Sequence, residues 1–248
     1  MNNIETYKNK YKNNGYFIVK DVFDKNTINK VISEIDVAQD VQKYTDKKGN
    51  LRRIERLYDK GIYLKKINSS VLSILKKIFD KDFTIFKDKC NSKPPGGEGF
   101  FAHYDGIFLF KNNNGKKEKG WYKYTDFFIN VLIALDDCNK ENGTIEISNA
   151  HSGDFDQLLL NTKQNGTPDI LNNIEQSIDF EPIELKAGDL TIFSNTCPHR
   201  SKKNESSVNR RTLYYTYTLL DKGSYYHEYF IDKSQSKNLT SKSLSGES

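Results

Sequence analysis

The first eighty residues combine helical apolar spacing with one short strand-like run. Residues 15–23, GYFIVKDVF, are mostly apolar and predict a strand. Residues 26–39 carry apolar side chains at every third or fourth position, which predicts an amphipathic helix. Its apolar face consists of Ile28, Val31, Ile32 and Ile35. A second helix is predicted over 69–79, starting at a serine cap. Residues 45–61 are polar and predict a loop with partial helix or strand.

From residue 83 onward, short apolar and aromatic runs alternate with turn signals. Residues 83–90, 126–137 and 210–220 are examples of such runs, and the Pro-Pro-Gly-Gly of 94–97 is one of the turns. Several short strands with this spacing predict a sandwich, jelly roll or barrel. Residues 154–178 interrupt the strands and are expected to form a lid or a rim. The predicted fold class is therefore mainly β with flanking helices (α+β).

Chain length and the tail composition set the expected domain organisation. All-β folds often use about 250 residues as a single domain, so we expect one domain over 1–232. It would have its N-terminal helices within 1–80 and its β core within 83–220. The segment 233–248 is rich in Ser and Lys and is expected to be a mobile tail.

The charge pattern narrows the classes of partner. The formal net charge is +5, from 38 Lys and Arg against 33 Asp and Glu. These charges are dispersed, and no basic stripe with interleaved aromatic residues is present, so nucleic acid is not predicted as a partner. A small excess of positive charge does favour an anionic small molecule. The oligomeric state stays open.

Cysteine usage and hydropathy bear on the compartment. Cys90, Cys138 and Cys197 are odd in number and form no CxxC pair, which argues against a disulfide framework or a zinc ribbon. No run of eighteen apolar residues occurs, so no transmembrane helix is predicted. The N-terminal residues lack the apolar core of a signal peptide. We therefore expect a cytoplasmic protein with reduced thiols and no membrane partner.

The chain has four histidines, and one of them begins a His-x-Asp pair. In a strand, residues i and i+2 point to the same side, so His103 and Asp105 can reach one metal ion. Two histidines and one carboxylate on one face of an iron centre leave positions open for other ligands. The third ligand would be His151, His199 or His227. Position near a strand end favours His199 or His151.

A downstream arginine strengthens the evidence from the His-x-Asp motif, which is weak by itself. Arg210 lies eleven residues beyond His199, at the start of a β-type run. Its guanidinium offers a rigid fork for a carboxylate, such as the distal carboxylate of 2-oxoglutarate. Taken alone, Arg210 would be a surface arginine at a strand start. Together with a metal triad, it favours a site for that cosubstrate.

Four segments carry a family resemblance. They are NSKPPGGEGFFAHYDG (91–106), NVLIALDDCNKENGTIEISNAHSG (130–153), ELKAGDLTIFSNTCPHRSKKNESS (184–207) and RRTLYYTYTL (210–219). In this order and spacing they resemble the phytanoyl-CoA dioxygenase (PhyH) family, over roughly residues 15–232. The resemblance implies a non-haem iron(II) and 2-oxoglutarate-dependent dioxygenase, on a double-stranded β-helix (a jelly-roll, cupin-like core).

The resemblance also implies site residues. His103, Asp105 and His199 match the iron ligands, which makes them the expected catalytic group. Arg210 matches the arginine that pairs with 2-oxoglutarate, and strand alternation turns Arg211 away from it.

Further cosubstrate contacts are expected on the strand before the His-x-Asp pair. Lys87 and Asn91 are the candidates there, and Lys89 shares their face and is expected to contact substrate or cosubstrate. Asn130 and Thr144 are further candidates for lining the cosubstrate cavity. His151 matches a structural turn and is not assigned to iron.

The implied reaction consumes O₂ and 2-oxoglutarate and hydroxylates a C–H bond. Asp105 favours hydroxylation, because related halogenases lack the carboxylate ligand. The expected substrate is a small anionic or zwitterionic metabolite: an amino acid, an aminophosphonate or a sugar acid. Two alternatives remain, a non-catalytic β-helix module that binds a ligand, and a cupin-type metalloenzyme that does not use 2-oxoglutarate. The filled polar positions disfavour the first alternative, and Arg210 disfavours the second.

Overall fold

The computed structural model of the protein describes residues 4–112 and 114–235. The helices of this part are α1 Ile4–Asn14, α2 Lys25–Val37, α3 Ile62–Phe79, α4 Phe155–Leu159, α5 Asn172–Glu175 and α6 Tyr226–Gln235. The strands are β1 Tyr16–Val19, β2 Gln42–Thr45, β3 Leu51–Glu55, β4 Phe83–Lys93, β5 Phe100–His103, β6 Leu109–Lys111, β7 Lys117–Lys119, β8 Ile129–Ala134, β9 Ile145–Ile147, β10 Glu181–Pro182, β11 Leu190–Ser194, β12 His199–Ser201 and β13 Arg210–Leu219.

Two open sheets form the body of the fold. The larger sheet has the strand order β1-β11-β8-β13-β4-β3-β2, and the smaller has β10-β9-β12-β5. A separate hairpin pairs β6 with β7. The pairs within the two main sheets are antiparallel. The predicted mainly-β fold with flanking helices is confirmed.

Strand β8 packs against the helices on one face and against the smaller sheet on the other. Val131 and Ile133 pack in the cluster that contains the buried residues of α2 and α3. Leu132 and Ala134 pack instead in a second cluster, together with side chains of β9 from the smaller sheet. Successive side chains of a strand point to opposite faces, so the larger sheet carries helices on one face and the smaller sheet on the other. The space between the two sheets holds the candidate site.

Helix α3 begins seven residues before the predicted start at residue 69. Its cap position, Gly61, has no side chain to accept a hydrogen bond. The carboxylate of Glu34, on α2, accepts hydrogen bonds from the backbone N–H groups of Tyr63 and Leu64 instead. A Cβ on Gly61 would lie 2.1 Å from that carboxylate, so a larger residue there would displace the cap. This cap comes from a different helix, and local sequence does not reveal it.

The polar segment 45–61 contains a strand where mainly a loop was predicted. Strand β3 pairs with β2 on one side and β4 on the other. Arg53 and Glu55 are buried in it, although charged residues seldom are. Their charges face partners on neighbouring elements, which explains why a polar sequence occupies the interior of a sheet.

The last helix of the described residues continues past residue 232, the predicted end of the domain. Helix α6 continues to Gln235, and Lys233, which was assigned to the tail, is only 5% exposed. Its ammonium contacts both carboxylate oxygens of Glu55, at 2.7 and 2.5 Å. The rest of the predicted tail, 236–248, lies outside the described residues.

The excursion 154–178 is attached to the smaller sheet. It contains α4 and α5, and side chains of α4 pack in a cluster with Ala102 and Tyr104. Backbone bonds join its residues 168–170 to β5: Tyr104 N–H donates to Pro168, and Ile170 N–H donates to Ala102. This segment therefore extends the sheet beside the strand that carries His103. Within the described residues, no helix is both long and apolar enough to cross a membrane.

Candidate active site

Three predicted ligands converge at the end of the smaller sheet. Strands β5 and β12 pair so that His103 and His199 are direct partners, with ring centroids 4.1 Å apart. Asp105 follows β5 and places Oδ2 at 3.6 Å from Nε2 of His199. One ligand atom from each of the three residues lies within 4.8 Å of the others. Neither His151 nor His227 belongs to this group, so of the three histidines considered, His199 is the one that joins the pair.

Backbone hydrogen bonds set the tautomer of both imidazoles. Nδ1 of His103 lies 2.7 Å from the carbonyl of Phe101, and Nδ1 of His199 lies 3.0 Å from that of Cys197. A carbonyl only accepts, so each Nδ1 carries the proton and each Nε2 keeps a lone pair for a metal. Burial lowers the pKa of His103 to about 3, with His199 adding to the effect, and keeps the ring neutral.

Asp105 is held by the larger sheet. Nδ2 of Asn130 donates to Oδ2 of Asp105 at 2.9 Å, and the hydroxyl of Thr216 donates to Oδ1 of Asn130 at 2.7 Å. Burial acts to raise the pKa of Asp105, but its interactions with His199 and with the charges of Lys89 and Lys87 outweigh burial and lower the pKa to about 2. The carboxylate is therefore ionised and oriented.

This donor set fits iron(II). Two neutral imidazole nitrogens and one carboxylate on one face of a metal leave several coordination positions free, as in non-haem iron oxygenases. Thiolates, which would favour zinc or an iron–sulfur cluster, are absent from the group. The residues present therefore suit the iron site that the sequence predicts.

Arg210 lies at the start of β13, in a cavity that His103 and His199 also line. It is 4% exposed, and its NH1 and NH2 donate to the hydroxyl of Thr212 and the carbonyl of Gly143, at 3.0 and 2.8 Å. Its Nε is buried without a hydrogen-bond partner. Among the described residues, no carboxylate forms an ion pair with this guanidinium. A buried, unneutralised arginine beside a metal site is suited to an anionic ligand.

The side chain of Arg211 points to the other face of β13 from Arg210, as strand alternation predicts. Its Nε and NH2 donate to the two carboxylate oxygens of Asp136, at 2.8 and 2.9 Å. Its guanidinium is thus already neutralised by a bidentate pair. Of the two consecutive arginines, only Arg210 lines the cavity.

Of the other predicted cosubstrate residues, one lines this cavity and three lie outside its lining. Asn91 lines the cavity, whereas Asn130 lies against Asp105. Lys87 is buried, with its ammonium 4.3 Å from the ring centroid of Trp121. Thr144 does not line this cavity, because its hydroxyl donates to the carbonyl of Ile183 at 2.6 Å.

Sequence reasoning missed several residues of the cavity wall. Arg53, on β3, is brought into the lining by its pairing opposite Asn91 on β4. Phe100, Ile145 and Tyr214 add apolar and aromatic surface. The clue to Arg53 was its polar run, which follows a Gly-Asn turn and precedes an apolar helix, but no local pattern shows which strand it joins.

Lys93 is a further missed residue beside Arg210. It is almost fully buried, and its ammonium donates to the carbonyls of Gly143 and Lys202 and to the hydroxyl of Ser201. Lys93 and Arg210 therefore share the Gly143 carbonyl. Burial, together with the charge of Arg210, lowers the pKa of Lys93 to about 6.

Tyr104 stands between two of the predicted ligands and points away from them. It is fully buried, and its hydroxyl lies 2.5 Å from Nδ1 of His151 and accepts from Nδ2 of Asn161 at 3.2 Å. His151 thus supports the turn after β9 and the excursion. Its role in the structure is one of packing.

The fold and the site together define a jelly-roll protein with a two-histidine, one-carboxylate site beside a buried arginine. A model of the phytanoyl-CoA dioxygenase (PhyH) family matches residues 11–212. The chain belongs to this family, which confirms the resemblance found in the sequence.

Two curated relatives are bacterial. The chain is 29% identical over 185 residues to the 2-aminoethylphosphonate dioxygenase of the uncultured bacterium HF130_AEPn_1, covering 74% of this chain and 64% of the relative. It is 33% identical over 153 residues to the methylphosphonate hydroxylase of Gimesia maris, covering 61% and 52%. The chain thus spans between half and two thirds of the length of these relatives.

Solved structures show the same fold. EctD from S. alaskensis, with 2-oxoglutarate and 5-hydroxyectoine, matches with a TM-score of 0.67 and 14% identity over 87% of this chain and 76% of that one. The epimerase SnoN, in complex with Fe3+, alpha ketoglutarate and nogalamycin RO, matches with a TM-score of 0.65 and 14% identity over 87% and 83%. These similarities confirm the predicted double-stranded β-helix core.

Proposed function

We propose that the protein is an iron(II)- and 2-oxoglutarate-dependent dioxygenase that hydroxylates a C–H bond of a small polar metabolite. The observation that carries this proposal is the convergence of His103, Asp105 and His199 beside Arg210, a buried arginine that has no anionic partner among the described residues. Family membership supports the same activity.

The residues of the site have separate roles in binding the metal and the cosubstrate. His103, Asp105 and His199 would hold iron(II), with each imidazole kept in the right tautomer by its backbone carbonyl. When bound, the iron and 2-oxoglutarate supply an oxidation by O₂ that yields succinate and a hydroxylated product. Arg210 would bind the distal carboxylate of 2-oxoglutarate.

Three more predicted residues support cosubstrate and metal binding. Asn91 lines the same cavity and offers its amide to the cosubstrate. Asn130 acts on the metal side, where its amide orients Asp105. Lys87 contributes positive charge behind Asp105, which favours the ionised carboxylate. Phe100, from β5, helps to exclude water from the cavity.

Among the three expected substrate classes, an aminophosphonate has the most support. Both curated relatives described above are named for phosphonate substrates. The cavity is also lined by the cationic side chains of Arg53, Lys89, Arg200 and Arg210. We also propose a cytoplasmic location, which the three buried free cysteines support.

Oxygen-dependent succinate formation tests the activity. Purified protein is supplied with iron(II), 2-oxoglutarate and a panel of amino acids, phosphonates and sugar acids. We expect succinate in the presence of O₂ and a spectral change when 2-oxoglutarate is added anaerobically to the iron-loaded protein. The Asp105→Ala variant is the matched control and should show neither.

Two outcomes would contradict the proposal. The absence of both succinate and a spectral change would favour a non-catalytic binding module. Metal binding and turnover of a substrate without 2-oxoglutarate would favour the cupin-type alternative.

A further inference from the structure

The cavity wall formed by β3 and β4 carries positive charge that the protein does not neutralise. Arg53 and Lys89 both line the cavity. The nearby carboxylate, Glu55, is occupied by Lys233, whose ammonium contacts both of its oxygens. Glu55 also forms an ion pair with NH1 of Arg53 at 3.7 Å, so one carboxylate is shared by two cations. Arg53, Lys233 and Glu55 together therefore keep one positive charge, and Lys89 adds a second.

Most of the hydrogen-bonding capacity of Arg53 is unused. Its Nε donates to Oδ1 of Asn91 at 3.2 Å, and its guanidinium lies 5.8 Å from the ring centroid of Phe100. Within the described residues, its NH1 and NH2 groups have no hydrogen-bond acceptor. Arg53 is only 8% exposed and lines the cavity, so a ligand there is within reach of these donors. A guanidinium with free donors is suited to an anionic ligand with several oxygens.

Lys89 adds a second cation with no anionic contact. Its ammonium lies 5.0 Å from the ring centroid of Tyr214, and it forms no ion pair among the described residues. Arg53 reaches the cavity from β3 and Lys89 from β4, so an anion between them would meet donors from two strands. The amide of Asn91 lies beside both, as the register pairs it with Arg53.

Strand register places Lys89 away from the cosubstrate arginine, with Arg53 between them. Arg210 is opposite Lys93, whereas Lys89 is opposite Tyr214, four residues further along β4. Four residues of strand correspond to about 13 Å. Arg53 is opposite Asn91, two residues of β4 from either level. The direction from Arg210 to Lys89 is toward Asn130, which contacts Asp105, so a ligand of Arg53 and Lys89 lies on the metal side of Arg210.

We propose that Arg53 and Lys89 form the subsite that binds the head group of the substrate, and that this head group is a tetrahedral dianion of the phosphonate or phosphate type. This inference rests on the proposed function, in which Arg210 is used by 2-oxoglutarate. A dianion balances the two unneutralised charges, whereas a carboxylate balances one. A group with three oxygens can also accept from the guanidinium and the ammonium at the same time.

Calorimetric binding tests the subsite without turnover. The iron(II)- and 2-oxoglutarate-loaded protein is titrated anaerobically with 2-aminoethylphosphonate, with phosphoethanolamine and with β-alanine, the carboxylate counterpart. We expect at least tenfold tighter binding of a tetrahedral dianion than of β-alanine. Tighter binding of the phosphonate identifies a C–P substrate, and tighter binding of phosphoethanolamine identifies a phosphate ester. Equal binding of β-alanine would overturn the choice of head group.

Variants of Arg53 and Lys89, with and without a change of charge, test whether these two residues form the subsite. Lys89→Met and Arg53→Lys should weaken binding of the preferred dianion at least tenfold, and Lys89→Arg should restore most of it. The Kd of 2-oxoglutarate, measured on the same samples, should change less than threefold and serves as the folding control. Lys30→Met, an exposed lysine of α2, should leave both constants unchanged.

Different results would contradict the subsite proposal and the dioxygenase proposal. If Lys89→Met and Arg53→Lys keep the wild-type dianion affinity while 2-oxoglutarate binds normally, the subsite is wrong and the dioxygenase proposal stands. If the wild-type protein does not bind 2-oxoglutarate at all, the proposed function itself is wrong.

Discussion

The amide of Asn130 connects the candidate metal site to the larger sheet. It donates to Asp105 and accepts from Thr216, so one side chain fixes the orientation of the only carboxylate in the metal group. Partners of metal ligands typically contribute 10- to 100-fold to metal affinity. We expect Asn130→Leu to weaken iron(II) binding by about that factor, measured by anaerobic titration. Asn29→Ala, on an exposed face of α2, is the control. Unchanged affinity in Asn130→Leu would show that Asp105 needs no such support.

Consecutive arginines offer a matched pair of variants. Arg210→Met should raise the KM for 2-oxoglutarate at least tenfold and leave metal affinity unchanged, because its guanidinium is the one without an anionic partner in the cavity. Arg211→Met should leave this KM near the wild-type value, since Arg211 is neutralised by Asp136. Succinate assays at varied 2-oxoglutarate measure both effects. The reverse pattern would reassign the cosubstrate to Arg211.

The protonation of Lys89 gives the site a pH dependence. Burial lowers its pKa to about 8, with Arg53 and Lys233 contributing to this shift and Asp105 and Glu55 opposing it. A lysine is charged below its pKa, so binding of an anionic head group should be strong below pH 8 and weaken as the pH rises through it. Lys89→Arg stays charged at every pH tested and should flatten this profile. Calorimetry from pH 6.5 to 9.5 makes the comparison, and identical profiles would exclude Lys89 as the titrating group.

At the scale of elements, α6 is joined to the wall of the cavity by the buried pair of Lys233 and Glu55. Removing one partner of such a pair leaves an uncompensated charge, so Lys233→Met should lower the free energy of unfolding by about 3 kcal/mol. Adding Glu55→Gln should restore part of the loss. Lys222, which is exposed and 3.5 Å from Asp126, is the control, and its change to Met should cost less than about 1 kcal/mol.

Urea denaturation monitored by circular dichroism measures these free energies. A loss below about 1 kcal/mol for Lys233→Met would show that α6 is held mainly by its apolar contacts. Those contacts are substantial, because Tyr226, Tyr229 and Phe230 are buried in the main core.

Elements were predictable from sequence where burial follows a periodic pattern. The apolar face of α2 was found because Ile28, Val31 and Ile35 are buried at helical spacing. The start of α3 was missed, since its cap is the carboxylate of Glu34 on another helix. Over 45–61 a loop with partial helix or strand was predicted, and the position of β3 was not specified, because its buried charged residues have partners far away in sequence.

The site residues likewise divide into those that local sequence predicts and those that depend on distant strand pairing. His103 and Asp105 are two residues apart, so their common side follows from strand geometry alone. Arg53 enters the cavity only through the register of β3 on β4. Register depends on the whole sheet, and a single sequence does not specify it.

At the scale of the whole molecule, the site requires both sheets. The two histidines of the candidate metal site come from β5 and β12 of the smaller sheet, whereas Arg210 and the support of Asp105 come from the larger one. A metal that binds only the assembled site stabilises the fold by RT ln(1 + [L]/Kd), about 2.7 kcal/mol at a hundredfold excess over Kd.

Iron(II) or a redox-inert substitute should therefore raise the melting temperature of the wild-type protein in proportion to the logarithm of its concentration. Asp105→Ala should abolish this dependence, while its melting temperature without metal is the reference. A metal-dependent shift that persists in Asp105→Ala would place the metal elsewhere.

The pairing of residues 168–170 with β5 also protects the molecule from its neighbours. Strand β5 is the last strand of the smaller sheet, and an uncovered edge is a template for intermolecular strand addition and aggregation. The backbone bonds to Pro168 and from Ile170, with the bridge of Asp169 to His103, occupy that edge. A chain shortened within the excursion would therefore expose the ligand-bearing strand to self-association, so loss of the monodisperse state should accompany any loss of metal binding.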